Sequence, residues 1–175
     1  MKARKLYPNQ YVPNSVVINP YFYTNSVTNT KEVILINEWS FNEGVSEMEL
    51  NVVKLTAFDD KGNEHLFFEM PKENIVKIKG MRYARFLKSH SLDKLSKGTY
   101  LYFRFYLKSN FNKFIYSNGE EKYLSGVNCL DFKIKNKLKV DGHQTGEVKL
   151  WFDLAPNHFI RHLKPIIDFI RKGTE

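Results

Sequence analysis

Residues 47–70, EMELNVVKLTAFDDKGNEHLFFEM, align without a gap on residues 131–154, DFKIKNKLKVDGHQTGEVKLWFDL. Glu47 falls on Asp131, Met48 on Phe132, Leu50 on Ile134, Gly62 on Gly146, Leu66 on Leu150, Phe67 on Trp151 and Phe68 on Phe152. A repeat of this kind decides architecture before any motif does. Each copy reads as a strand, a turn rich in Asp and Gly, and a second strand, which is the pattern of a β-hairpin.

Working outward, each copy runs into a proline. After Pro156, the residues Phe159, Ile160, Leu163, Ile166, Ile167 and Ile170 follow helical spacing, with Asn157 as cap and Gly173 as stop. After Pro71, the residues Ile75, Val76, Tyr83, Phe86 and Leu87 give a weaker helical pattern, interrupted by Gly80. Upstream, Tyr21-Phe22-Tyr23 resembles Arg104-Phe105-Tyr106. The expected fold is therefore α+β: two pseudo-repeats of a four-stranded antiparallel sheet followed by a helix. The first repeat spans 15–97 and the second 98–175, together one domain behind an extended arm at 1–14. Strands are expected at 15–24, 31–39, 47–58, 63–70, 98–108, 111–116, 129–140 and 146–154.

Charge directs the reading of function. The 175 residues carry a formal net charge of +8, which makes a polyanion the first partner to consider. Acids dominate between Lys31 and Met70 and bases from Lys72 to Lys139, so one charged face is expected. Aromatic residues, 15% of the chain, supply rings that could stack on bases or simply fill a core. Apolar runs such as Val33-Ile34-Leu35-Ile36 fall far short of the roughly 20 residues that cross a bilayer, so no membrane partner is expected. The single cysteine, Cys129, and an N-terminus without a secretory pattern point to a reducing, cytoplasmic setting.

Two strand faces are candidates for binding. On residues 100–108, alternation sends Leu101, Phe103, Phe105 and Leu107 to a core, and Tyr100, Tyr102, Arg104, Tyr106 and Lys108 to the other side. Stacking rings and cations for phosphate would then share one face. A covering helix or a second subunit would suit that face equally well. On the strand after Asp131, Lys133, Lys135, Lys137 and Lys139 fall together opposite Phe132, Ile134, Leu138 and Val140, with Asn136 the exception. Lysines also protect exposed edges from aberrant pairing, but the aligned positions Glu49, Asn51, Val53 and Leu55 show that the repeat does not require them. Lys77, Lys79, Arg82, Arg85 and Lys88 could extend a basic path, and Tyr21 and Tyr23 align with Arg104 and Tyr106 as a second platform.

Catalytic signatures are absent. His158 and His162 lie one helical turn apart without an HExxH arrangement, and no phosphate-cradling loop or nucleophile elbow occurs. Cys129 reads as a lone buried thiol, and Asp59-Asp60 as turn carboxylates. No catalytic residue, metal or cofactor is expected.

In element order, length and hairpin repeat, the chain resembles the Whirly-type single-stranded DNA-binding fold, related to PUR-domain proteins. It lacks the KGKAAL-like motif of the plant family, so no site residue transfers. The resemblance implies sheets open to nucleic acid, helices that join subunits, and a homo-oligomer. The expected function is sequence-tolerant binding of single-stranded DNA in replication, recombination or repair. Its abundance of Lys, Asn, Ile, Phe and Tyr fits an AT-rich viral or mobile-element genome. Single-stranded RNA binding and a non-enzymatic structural or protein-interaction role are the alternatives.

Overall fold

In the computed structural model, residues 11–12, 16–17, 30–70, 75–89, 91–142 and 146–157 are described. Twelve strands account for most of them: β1 (Tyr11–Val12), β2 (Val16–Val17), β3 (Lys31–Ile36), β4 (Val45–Asp59), β5 (Glu64–Glu69), β6 (Ile75–Lys79), β7 (Phe86–Ser89), β8 (Gly98–Leu107), β9 (Lys113–Tyr116), β10 (Glu121–Tyr123), β11 (Cys129–Val140) and β12 (Val148–Asp153). One helix, α1 (Glu38–Asn42), and two 3₁₀ turns complete the set. The chain is mostly β, one sheet curled into a half-barrel. The α+β expectation is thereby overturned.

The correction is sharpest after Pro71. The segment read as a helix is β6, a 3₁₀ turn at Met81–Tyr83, and β7. Along β6, Val76 and Ile78 are buried while Ile75 and Lys77 are exposed, a period of two that a strand satisfies and a helix does not. The β-branched residues at 75, 76 and 78 favour the same outcome. The helix expected after Pro156 lies outside the described residues, as do Tyr21, Tyr23 and most of the arm.

The sheet path runs β1-β2-β7-β12-β3-β11-β8-β4-β9-β10, with β5 and β6 also paired to β4. Strand β8 sits at its middle, flanked by β4 from the first sequence copy and β11 from the second. The first copy forms the expected hairpin, β4 against β5. The second does not: β3 inserts between β11 and β12, antiparallel to the former and parallel to the latter. The intervening strand comes from about 100 residues upstream, a pairing that no local pattern announces.

Three pairs of strands follow one another along the sheet. Along β4, β5 is followed by β6 on one side and β8 by β9 on the other, while β10 and β11 continue the order beside β9 and β8. At the level of the break, β4 shifts register between Val52 and Lys54, a bulge of the kind that bends a strand. Buried asparagines stitch this line. Asn112 Oδ1 accepts the Asn51 backbone N–H at 2.8 Å, Asn112 Nδ2 donates to the Lys108 carbonyl, and Asn51 Nδ2 donates to Asn110 Oδ1 at 3.2 Å. Asn112→Ala should cost about 1–3 kcal/mol, because it strands a buried N–H. A lowered urea midpoint with an unchanged slope is the expected reading.

Charges segregated in sequence interleave in space. Glu47 faces Lys79 and Glu49 faces Lys77 across β4 and β6, each at 3.0 Å, and Lys113 of β9 reaches Glu49 at 3.4 Å. Cross-strand opposite charges of this type each contribute about 0.2–1 kcal/mol. Lys77 and Lys79 are thus partners of the acidic strand rather than an extension of a basic path. The single charged face expected from the sequence dissolves into pairs. Asp59 likewise closes the β4–β5 turn, accepting from the backbone N–H groups of Lys61 and Asn63, from Asn63 Nδ2 and from His65. Those hydrogen bonds, Asn63's side chain foremost, hold its carboxyl well below the usual carboxylate range.

Candidate nucleic-acid interface

The face turned away from the core gathers both strand faces singled out in the sequence. Register places Tyr102 opposite Lys133, Arg104 opposite Asp131, and Tyr106 opposite Cys129. On the other flank, Phe58, Thr56 and Lys54 of β4 stand opposite Tyr102, Arg104 and Tyr106. Paired residues project from the same side of a sheet, so Tyr102 and Tyr106 of β8 share one surface with Lys133 of β11.

A bulge changes the membership of that surface. β8 shifts register against β4 between Tyr100 and Tyr102, which turns Leu101 outward, 46% exposed, and buries Tyr100 at 1%. Tyr100 donates its hydroxyl to the Ser96 carbonyl at 2.9 Å and takes the edge of His65. It belongs to the core and not to the candidate face, and Leu101 does the reverse. Phe103, Phe105 and Leu107 occupy the core as the alternation requires. Lys108 lies exposed just past the end of β8.

Arg104 is committed. Its Nε and Nη2 both bond Asp131 at 2.7 Å, a bidentate pair that keeps the guanidinium protonated at any ordinary pH. Its plane also sits 4.9 Å from the Phe58 ring centroid. Arg104 therefore braces the platform rather than offering a free cation to phosphate. The platform itself is a stack: Phe58 and Tyr102 lie 4.4 Å apart and nearly parallel. Tyr106 donates to Glu64 at 2.6 Å under the ammonium of Lys54, 4.1 Å from its ring centroid. That hydrogen bond lowers Glu64's pKa and raises Tyr106's.

Lys133, Lys135, Lys137 and Lys139 are all exposed. Lys135 pairs with Asp153 at 2.7 Å and Lys133 with the well-exposed Glu38 at 3.4 Å. For Lys137 and Lys139 no ion pair is present among the described residues. The odd member of the alternation, Asn136, now has a role. β11 bulges between Lys133 and Leu138, and the Asn136 amide replaces the missing ladder, accepting from Ile34 N–H and donating to the Glu32 carbonyl, both at 2.7 Å. Cys129 is exposed beside Tyr106, contrary to the buried thiol expected.

Beside Tyr102 the surface opens into a groove of about 470 Å³ between β3, α1, β8 and β11, walled by Tyr102, Leu101, Ile36, Ile134, Glu38, Lys133 and Asp131. Helix α1 is pinned there by Asn37, which caps it through the Ser40 N–H and donates to the Asp131 carbonyl at 2.9 Å. Sequence reasoning overlooked Phe58, Lys54, Glu38 and Asp131. The alternation Lys54-Thr56-Phe58 within β4 carried a signal for the first two. Glu38 and Asp131 carried none, because their places depend on chain crossings.

The fold and this face define a class: a mostly-β protein whose curled single sheet presents aromatic rings and lysines on one surface. Comparison with known proteins finds no matching family model, no matching curated protein and no matching solved structure. Among the described residues, no helix is long and apolar enough to cross a membrane, and no group of three or more His, Cys, Asp or Glu side chains could hold a metal ion.

Proposed function

We propose that this protein binds single-stranded nucleic acid, DNA ahead of RNA, without covalent chemistry, of the kind that serves replication, recombination or repair. The observation that carries the reading is the opposition of Tyr102 and Lys133 on neighbouring strands, with Phe58 behind the ring and three more lysines along β11. Bases would stack on the rings while the backbone follows the lysines, a division of labour that needs no particular sequence. A duplex keeps its bases stacked inside and could use only the lysines.

The test is fluorescence anisotropy with labelled oligo-dT, oligo-rU and a matched DNA duplex at two salt concentrations. Salt-sensitive binding with the single strand favoured supports the proposal; binding to none of the three sinks it. Tyr102→Ala should weaken oligo-dT binding by about 1–3 kcal/mol, some five- to 150-fold, while leaving the salt slope unchanged. A protein-interaction role is the second reading, favoured by Phe111 and Tyr123, 62% and 69% exposed around the β9–β10 edge. A partner held there would bind with little salt dependence.

A further inference from the structure

From the groove beside Tyr102 we infer that the protein reads one base of the bound strand, with guanine preferred over thymine or uracil. The inference rests on the nucleic-acid reading of this face and deepens it. Apolar side chains of Ile36, Leu101 and Ile134 line the groove, which at about 470 Å³ has room for a nucleoside. Tyr102 forms one wall. Phe58, on the β4 side, backs one face of that ring, and the groove lies on its β11 side, so an entering base can continue the stack.

Hydrogen-bonding groups sit at the rim in a definite order. Glu38, an acceptor only, stands 3.4 Å from Lys133, a donor only. Guanine's pairing edge offers an acceptor at O6 followed by donors at N1 and N2. Lys133 Nζ can serve O6 while the Glu38 carboxylate takes N1–H and N2–H together. Adenine offers one donor beside one acceptor, and cytosine one donor followed by two acceptors, so each satisfies the pair less fully. Thymine and uracil place a second carbonyl, O2, against the carboxylate, where no hydrogen bond forms and like partial charges repel. Both Asp131 oxygens already accept from Arg104, which weakens Asp131 as an acceptor for the base. Asn37 ties the start of α1, which carries Glu38, to β11 beside the groove.

The experiment uses the full chain and fluorescein-labelled 12-mers of dT carrying dG, dA, dC, deoxyinosine or dT at one central position. A single guanine in thymine cannot fold into a quadruplex. The dG oligomer should bind about tenfold more tightly than all-dT, with deoxyinosine, which lacks the 2-amino group, in between. In Glu38→Ala the ratio of dG to all-dT affinity should fall to about one. Equal binding of all five oligomers overturns the base-reading groove and leaves single-strand binding standing. A guanine preference that survives Glu38→Ala, or a deoxyinosine oligomer that matches dG, also overturns it. Binding of none removes the underlying reading, and this inference with it.

Discussion

Phe132→Ala should lower the free energy of unfolding by about 3–5 kcal/mol, measured by urea denaturation. Phe132 is fully buried, with Phe105 at 4.9 Å and Phe152 at 5.3 Å in edge-to-face contact. The three rings belong to β11, β8 and β12, so their triangle ties the middle of the sheet to the strands beyond β3. Truncation removes the transfer energy of the ring and two aromatic contacts, and leaves a cavity that the rigid sheet cannot close. A domain stable by about 5–15 kcal/mol would lose much of its margin. Tyr123→Ala, at a side chain 69% exposed, should fall within about 0.5 kcal/mol of wild type. Comparable losses in both variants would refute this account of the core.

The second large effect is on binding. Replacing Lys133, Lys135, Lys137 and Lys139 together with Ala should weaken oligo-dT binding by about two orders of magnitude at 0.1 M salt. The slope of log affinity against log salt should flatten by up to about 3, at roughly 0.7 per phosphate neutralised on a single strand. The four are not equal. Lys133 and Lys135 are paired with Glu38 and Asp153, whereas Lys137 and Lys139 have no ion pair to give up among the described residues. The Lys137/Lys139 double variant should accordingly carry more than half of the change in slope. Unaltered affinity and slope in the folded quadruple variant would remove β11 from the interface.

How much of this was legible beforehand follows from the range of each interaction. Alternation along a strand is set by the chain's own pleat. Residues 31–36, 129–140 and 148–153 could therefore be sorted locally into the buried Val33, Leu35, Phe132, Ile134, Leu150 and Phe152 and the exposed lysines of β11. The same logic failed where a bulge resets the count. Tyr100 and Leu101 exchanged faces because β8 slips against β4, and Asn136 left the row because its amide had to complete the ladder with β3. It failed again at residues 75–79, where two apolar residues in a row matched a helical spacing as easily as a strand.

The sequence by itself marked the strands at 47–58, 98–108 and 129–140, most of their apolar faces and the lysine row, but not the mostly-β class. Only the tertiary structure decided which strands are neighbours. Thus β3 divides the second copy, the acids of β3, α1 and β4 meet the bases of β12, β11, β6 and β9, and the two candidate faces become one. The groove at Tyr102 needs Glu38, Leu101, Asp131 and Lys133, which converge from segments up to about 95 residues apart. Local propensity acts over a few residues, while strand neighbours are chosen by burial and ladder pairing summed over the whole sheet, and that sum has no local signature.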